Sequence, residues 1–413
     1  MATKAATDQP PRRRKWRRWG VGLLALLGGL ALARWVWFRG PHLPPTPLPP
    51  EGIVDLHVHT AGFGAGGSGC FVSPAMQASF KFDLYLKSFG FSREQLVRDG
   101  DGAVVQRIAE LVAGSRYLSH AVVLALDGAI DETTGELDRV RTEVYVPNEF
   151  VARETARYPK LLWGASINPL RPDALARLDW AAAHGAVLVK WIPSIMHFSP
   201  EDPRCAPFYR RLVALKMPLL CHAGQERAFT LAQDELCDPV HLRLPLSLGV
   251  VVIAAHIASM GANAGERDTD RLAQLMREFP QLRTELSSLT QINKPGYLRE
   301  ALLRGEFRDR VAYGSDFPLI NTALVSPWYH PAELTVAEMQ RIAGVTNVWD
   351  RDIALKQALG VPTEVFTRSA AWLRPGWERE FSGRASVGGA PVRQRLSEAD
   401  GADGADRSQV PRP

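Results

Sequence analysis

The sequence has few cysteines and no cysteine motif that binds metal. Only four of the 413 residues are cysteine, namely Cys70, Cys205, Cys221 and Cys237. None of them forms a C-x-x-C pair, which argues against a zinc knuckle and against a dense disulfide framework. We therefore interpret them as free thiols that pack as small hydrophobic residues.

A phosphate-binding loop is also missing. The glycine-rich stretch GFGAGGSG, at residues 62–69, is not followed by the clear helix that a dinucleotide-binding G-x-G-x-x-G loop requires. No Gly-Lys-Ser/Thr sequence is present either. These two absences argue against a nucleotide-binding, doubly wound sheet, which is the alternative α/β fold.

The net positive charge of the chain comes from its N-terminus. Residues 1–39 carry a net charge of +8, and because the whole chain sums to +5, the remaining residues sum to −3. The basic character therefore comes from one end, and we expect no nucleic-acid partner.

The N-terminal segment predicts a membrane anchor. A basic stretch, residues 1–19, precedes an apolar stretch, residues 20–38, that only Arg34 interrupts. We predict a single-pass transmembrane helix with a cytoplasmic N-terminus and the catalytic domain outside the cytoplasm. A signal peptide cleaved near Ala31–Ala33 is the alternative.

Two further segments flank the main domain. Residues 39–51 are rich in proline and predict a stiff, extended linker. Residues 381–413 have almost no large apolar side chains and predict a disordered tail. Residues 52–380 remain for a single catalytic domain.

This domain contains eight strand-like runs separated by amphipathic stretches of helical length. Such alternation predicts βαβ units and a parallel sheet, and eight units favour an α/β fold of the (β/α)₈ (TIM) barrel type. Residues 61–119 are too long for a simple connection and predict an insertion over the barrel mouth. The predicted strands are Ile53–Thr60, Ala121–Asp127, Leu161–Asn168, Ala186–Ile192, Pro218–His222, Val250–His256, Leu282–Ser287 and Val311–Ser315.

Polar residues lie at the ends of five of these strands, where barrel enzymes place their active sites. His57 and His59 are two residues apart and therefore share one face of the first strand. Neutral imidazoles and carboxylates from separate strands can bind a divalent ion and leave one position open. The set is hard to explain as packing and predicts a metal site: His57, His59, Lys190, His222, His256 and Asp316.

Five stretches, in this order, resemble the amidohydrolase superfamily of metal-dependent hydrolases. The branch they are most similar to includes aminocarboxymuconate-semialdehyde decarboxylase. The resemblance covers about residues 52–375 and specifies the superfamily but not a substrate. The stretches are VDLHVHT, GAVLVKWIPSIMHFSPEDPRCAPFYRRL, MPLLCHAG, AAHIASMG and VAYGSDFP.

The resemblance implies a role for each residue. His57, His59, His222 and Asp316 would bind one divalent metal, for which zinc is the favoured ion in this family. His256 would polarise the substrate or position the water. Asp316 would also accept a proton from the metal-activated water, whose pKa a zinc ion lowers from 15.7 to about 7.

Lys190 has two interpretations. In binuclear relatives a lysine on the fourth strand is carboxylated and bridges two metals, the second of which His222 and His256 would bind. In the decarboxylase-like branch the lysine need not be modified and can bind a substrate carboxylate. We favour one metal and unmodified Lys190.

Weaker candidates follow other strands. Asn168, His197, Gln225 and Glu226 are candidates for substrate contact, although we favour solvated loop positions for the last three. We expect Asp55 on the same face as His57 and His59, deeper in the barrel, and leave the facing of Glu285 open.

The functional prediction is a metal-dependent hydrolase of a small amide, ester or lactone. A metal-dependent decarboxylase on the same barrel is the alternative enzyme. A catalytically degenerate barrel that only binds its ligand is the alternative of another class. A homo-oligomer is compatible with the sequence.

Overall fold

The computed structural model describes residues 13–37 and 47–378, with side chains from residue 19 to residue 35 in the first segment. Residues 1–12, most of the predicted proline-rich linker and the predicted disordered tail lie outside the described residues.

Eight parallel strands form the centre of the fold. Their aliphatic and β-branched runs, such as IVDLHVH and AVLVKW, are buried along almost their whole length, as expected for a parallel sheet with both faces covered. The strands are β1 (Ile53–His59), β2 (Leu118–Leu124), β3 (Leu161–Ala165), β4 (Ala186–Trp191), β5 (Leu219–Cys221), β6 (Val252–Ala254), β7 (Leu282–Glu285) and β8 (Val311–Ala312).

The sheet closes on itself. Each strand pairs with the next in chain order, from β1 to β8. Phe317, just beyond β8, forms a parallel bridge with Val58 of β1 and accepts a hydrogen bond from the backbone N–H of His59 (2.8 Å). The predicted TIM-barrel architecture is therefore confirmed, with each predicted strand overlapping an observed one.

Helices connect the strands and cover the barrel. Several begin at side-chain caps that satisfy the free N–H groups of the first turn, including capping boxes at Ser92 and Thr335. The described α-helices are α1 (Arg13–Trp37), α2 (Pro74–Ala78), α3 (Phe80–Phe89), α4 (Arg93–Asp99), α5 (Gly102–Ala113), α6 (Asn148–Thr155), α7 (Ala174–Ala183), α8 (Pro193–Met196), α9 (Ala206–Ala214), α10 (Arg243–Ser247), α11 (Asp268–Glu278), α12 (Tyr297–Leu303), α13 (Val336–Ala343), α14 (Val348–Ala358) and α15 (Thr363–Thr367).

The two ends of the barrel differ. Near the start of β4, the backbone N–H of Arg374 donates to Val187 (2.9 Å). Trp372 and Trp377 belong to the same buried cluster as Leu188 and Leu220. The C-terminal segment therefore covers the amino-terminal end of the barrel and leaves the carboxyl ends of the strands for a site.

The insertion between β1 and β2 contains α2 to α5 and a two-residue strand, Phe71–Val72, that pairs with Val144–Tyr145. The glycine-rich loop at its start is held by Asp101, whose Oδ2 accepts hydrogen bonds from Gly64 N (2.9 Å) and Ser68 Oγ (2.5 Å). The loop therefore binds the carboxylate of Asp101 of the same chain. It resembles a phosphate-binding loop only in its glycine-rich composition.

The predicted membrane anchor is wrong. No helix in the described part of the chain is long and apolar enough to cross a membrane. In α1 the uninterrupted apolar stretch runs only from Gly20 to Ala33, and four of its residues are glycine. At about 1.5 Å per residue it spans about 21 Å, less than the roughly 30 Å of a bilayer core. Arg34, which interrupts the predicted span, donates to the carbonyl of Leu334 (3.1 Å).

Candidate metal centre

The end of β1 brings two imidazole nitrogens together. Nε2 of His57 lies 3.2 Å from Nε2 of His59. Two nitrogens bound to one tetrahedral zinc are separated by a similar distance, about 3.4 Å. His57 is fully buried and the side chain of His59 is 23% exposed, so the pair lies where the barrel interior meets the mouth.

Asp316 completes this group from the segment after β8. Its Oδ1 lies 3.6 Å from His57 Nε2 and 3.3 Å from His59 Nε2. Its backbone N–H donates to the carbonyl of His57 (2.9 Å), which fixes the end of β8 against β1. Asp316 has a φ of 61°, a left-handed conformation that aspartate tolerates better than most residues.

His222 comes from the end of β5. Its backbone N–H donates to the carbonyl of Trp191 (2.8 Å), and its Nδ1 lies 3.6 Å from Glu226 Oε2. Its Nε2 is buried and has no hydrogen-bond partner among the described residues. A buried nitrogen without a partner is costly, so this atom has the property expected of a metal ligand.

His256 follows β6 with a strained backbone, since His256 and Ile257 have φ values of 58° and 51°. Its Nδ1 contacts Ser287 Oγ (2.7 Å) and Ser288 Oγ (3.2 Å). Its Nε2 lies 3.9 Å from Asp316 Oδ2. Strain of this kind is concentrated at functional sites, and here it directs the imidazole toward Asp316.

Glu285, whose facing the sequence left open, lies directly behind these histidines. It is fully buried at the end of β7, and its Oε1 lies 3.3 Å from His57 Nδ1. The same oxygen accepts hydrogen bonds from His256 N (3.0 Å) and Ser287 Oγ (2.6 Å). An acceptor at Nδ1 favours the tautomer of His57 that has its proton there, leaving the lone pair of Nε2 for a metal.

We therefore expect Glu285→Gln to weaken zinc binding by about 10–100-fold, because the amide cannot accept all the hydrogen bonds that orient His57. Competition with a chromophoric chelator measures the affinity. The exposed Glu333→Gln is the matched control and should bind zinc as the wild type does. An unchanged affinity in Glu285→Gln would show that this carboxylate does not orient a ligand.

Lys190 lies at the centre of the group. Its fully buried Nζ is 3.0 Å from His57 Nε2, so it donates to the lone pair that a metal would use. A metal at Nε2 and this hydrogen bond exclude each other. Burial lowers the pKa of Lys190, which eases the loss of the proton that both carboxylation and displacement by an ion require.

The charge states suit cation binding. Burial, with help from the ammonium groups of Lys190 and Lys294, lowers the pKa of His222 to about 3. Burial also lowers the pKa of His57 and His256 well below the usual range. Burial alone would raise the pKa of Asp316, but the imidazoles around it outweigh this effect and lower it. Neutral imidazoles and an ionised carboxylate at neutral pH form a suitable ligand set.

Two groups of described side chains could hold a metal ion. One is His57, His59 and Asp316, which is three of the four ligands that the sequence implied. The other is His57, His256 and Glu285. His222 belongs to neither group, although its unpartnered Nε2 lies at the same cavity. The residues present therefore fit a divalent ion.

A cavity of about 380 Å³ opens above this group. One end is polar and includes His59, Lys190, His222, His256 and Asp316. The other walls are mainly apolar, and the insertion contributes much of them through Val72, Met76, Phe82, Tyr85, Leu86 and Phe89. A more open depression of about 540 Å³, beside the glycine-rich loop, contains none of the predicted ligands.

The predicted substrate-binding residues separate into two groups. Gln225 and Glu226 line the cavity, and Gln225 Oε1 accepts from the guanidinium of Arg227. Asn168 and His197 are not among the cavity-lining residues in the described part of the chain. The amide of Asn168 donates to the carbonyls of Gly128 (3.0 Å) and Met196 (2.8 Å), so it fixes loops instead.

Asp55 lies beside His57, whose backbone N–H donates to Asp55 Oδ1 (3.0 Å), and its side chain is fully buried. The carboxylate of Asp55 accepts from Trp349 Nε1 of α14 (2.7 Å) and from Ser315 N (3.0 Å). It therefore ties β1 to the end of β8 and to a helix.

A comparison with known families identifies the family of the chain. The sequence model of the amidohydrolase family matches residues 99–346, more than half of the chain. The chain belongs to the amidohydrolase family. No curated protein matches this amidohydrolase significantly in sequence.

Solved structures with related architecture share little sequence with this amidohydrolase. A TIM-barrel protein from Bordetella bronchiseptica is 16% identical, with 74% of this chain and 99% of that chain covered and a TM-score of 0.45. A 2,6-dihydroxybenzoate decarboxylase from Rhizobium is 15% identical, with 75% and 98% covered and a TM-score of 0.42. A 5-carboxyvanillate decarboxylase from Novosphingobium aromaticivorans, with bound manganese, is 11% identical, with 76% and 97% covered and a TM-score of 0.40.

Proposed function

We propose that this protein is a metal-dependent hydrolase of a small, largely apolar amide, ester or lactone. One observation carries the proposal. His57 Nε2, His59 Nε2 and Asp316 Oδ1 lie 3.2–3.6 Å from one another at the polar end of a cavity of about 380 Å³. Such a cavity is of the size that accommodates small-molecule ligands.

His57, His59, His222 and Asp316 would hold one divalent ion, and zinc suits three imidazoles and a carboxylate. When bound, such an ion acts as a Lewis acid and makes water a stronger nucleophile near neutral pH. Glu285 would keep the proton of His57 on Nδ1, and Glu226 would hold the ring of His222 in place.

Asp316 would transfer the proton, and His256 would hold the substrate or the water. Asp316 Oδ2 lies 3.9 Å from His256 Nε2, a separation at which one reacting atom beside the pair could contact both. Asp316 would accept the proton of the attacking water and pass it to the leaving group. His256 Nδ1 lies 3.2 Å from the carbonyl of Ser287 and 2.7 Å from Ser287 Oγ, whose own proton is donated to Glu285 Oε1, so these acceptors favour a proton on Nδ1. The lone pair of His256 Nε2 would then accept a hydrogen bond from the attacking water or from a donor group of the substrate.

The metal content of the full chain tests this proposal. We expect about one zinc per wild-type chain by elemental mass spectrometry after loading and desalting, and hydrolysis of some members of a panel of p-nitrophenyl esters and aryl lactones. His59→Asn should bind zinc more weakly by over about 100-fold, since a ligand contributes more than a group behind it. The exposed His184→Asn is the control and should bind normally.

The other outcomes are equally informative. Two zinc ions per chain would indicate carboxylated Lys190, whereas no zinc in the wild type would refute the proposal. Zinc and ligand binding without any turnover would favour the catalytically degenerate barrel.

Decarboxylation is the second candidate because Lys190 forms no ion pair with a described carboxylate at the metal end of the cavity. Such a cation could receive a substrate carboxylate. Turnover in isotopically labelled water distinguishes the two reactions. Hydrolysis places labelled oxygen in the product, whereas decarboxylation releases carbon dioxide and leaves the organic product without it.

A further inference from the structure

A second lysine reaches the cavity from an element that the metal site does not use. Lys294 lies in the loop between β7 and α12 and lines the cavity. Its side chain is half-buried, so the ammonium group lies at the wall and not in free solvent. It approaches the side of the cavity where His256 lies, because Ser288 Oγ is 2.7 Å from Lys294 Nζ and 3.2 Å from His256 Nδ1.

The ammonium group has a single hydrogen-bond acceptor. Lys294 Nζ donates to Ser288 Oγ (2.7 Å), and it forms no salt bridge with a carboxylate of the described residues. An ammonium group has three protons to donate, so two of them remain for other acceptors. A cation withdrawn from water without an anionic partner is costly, and proteins retain one where a ligand supplies the partner.

The nearby carboxylates are engaged elsewhere. Glu285 accepts hydrogen bonds from His256 and Ser287, and Glu226 accepts one from Ala228 N (2.6 Å). Asp316 contacts the imidazoles of the metal centre. These groups attract Lys294 only at longer range.

The cavity wall contributed by the insertion is apolar. Phe82, Leu86 and Phe89 of α3 line the cavity and are buried. A ligand that fits the whole cavity therefore needs an apolar body for α3 and an anionic group for Lys294.

We infer that Lys294 determines specificity by binding a carboxylate group of the substrate that is not part of the bond being cleaved. This inference rests on the proposed hydrolase function. The substrate class is then a small ester, amide or lactone with an apolar body and a separate carboxylate.

The preference for a carboxylate is measured without turnover. The probes are 4-(trifluoromethyl)benzoate and its neutral analogue 4-(trifluoromethyl)benzamide, titrated by fluorine NMR against zinc-loaded and chelator-stripped full-length protein. A hydrogen bond to a charged group contributes about 1.5–3 kcal/mol, so wild type should bind the benzoate about 10–100-fold more tightly. The preference should persist in the stripped protein, where direct binding of the benzoate to zinc is absent.

Variants identify the residue responsible. Lys294→Met and Lys294→Gln should bind both probes alike, with benzamide affinity unchanged, and the glutamine can still donate to Ser288. Lys294→Arg and the exposed control Lys216→Met should keep the preference for benzoate. Thermal unfolding of each variant shows whether it is folded, and two neutral variants guard against the loss of one.

Three results would overturn the inference. These are equal affinity of the wild type for both probes, no benzoate binding at millimolar concentrations, or a preference that persists in both neutral variants. Failure of the proposed function is seen separately as absence of zinc, and the stripped protein tests Lys294 even then.

Discussion

Asp316→Asn is expected to abolish most turnover while the protein keeps its fold and much of its metal. Asparagine retains one oxygen that can bind an ion, but it cannot accept a proton. Removal of a general base typically costs about 10²–10⁴-fold in rate. Asparagine also tolerates the left-handed backbone that this position requires, with φ 61°. The variant therefore separates proton transfer from backbone strain.

The measurement is the turnover of the panel ester or lactone that the wild type cleaves fastest, with zinc content determined on the same samples. Asp309→Asn, whose side chain is 87% exposed, is the matched control and should retain full activity. Activity of Asp316→Asn within tenfold of the wild type would remove Asp316 from its proposed role as proton acceptor.

Lys356→Met should give the largest loss of stability. Lys356 Nζ donates to both oxygens of Asp352 within α14 (2.8 and 2.6 Å), and the hydroxyl of Tyr313 donates to the same carboxylate (2.9 Å). All three side chains are buried. Removing the ammonium group leaves a buried carboxylate with a single donor, which costs about 3–5 kcal/mol in the free energy of unfolding.

Urea unfolding followed by circular dichroism measures this change. The double variant Asp352→Asn with Lys356→Met removes both charges and should recover much of the loss, because two neutral side chains leave no uncompensated charge. A single variant within about 1 kcal/mol of the wild type would show that the pair is not important for stability. The result bears on the site, since Tyr313 lies three residues before Asp316.

The sequence predicts the barrel because each strand has a short β-branched or aliphatic run and each helix an amphipathic one. Strand ends are less certain, as β2 shows: it begins at Leu118, three residues before the predicted start. The run there continues apolar into the following loop, where Ala125 and Leu126 are buried without being in the strand. The hydrophobic pattern indicates which residues are buried, and the buried residues extend beyond those that pair in the sheet.

The clustering of His57, His59 and Asp316 is predictable because strand ends meet at one edge of a barrel, so separate motifs converge without knowledge of the loops. Glu285 and Asp55 are less predictable. The partners of the Asp55 carboxylate include Ser315 and Trp349, which lie far from it in the chain, so no local pattern in the sequence identifies them. The facing of Glu285 depends on how a four-residue strand is set against its neighbours.

Lys294 is not predictable from the sequence, for a different reason. It lies nine residues beyond the end of β7, in the stretch TQINKPG, where composition indicates only a loop. Its approach to the cavity depends on the path of that loop. The membrane anchor is wrong because the composition of the segment overstates its hydrophobicity. Four of its residues are glycine, and Arg34 ends the apolar stretch.

The apolar wall formed by α3 affects how the substrate specificity of this protein can change during evolution. The proposed chemistry belongs to the ends of strands that the whole barrel holds in place, whereas the shape of the pocket depends on a segment inserted between two of them. Exchange of residues 71–99 for the corresponding segment of another family member would therefore change which molecules are accepted without rebuilding the catalytic apparatus. Selection can then change the substrate range of such a protein by altering one contiguous segment.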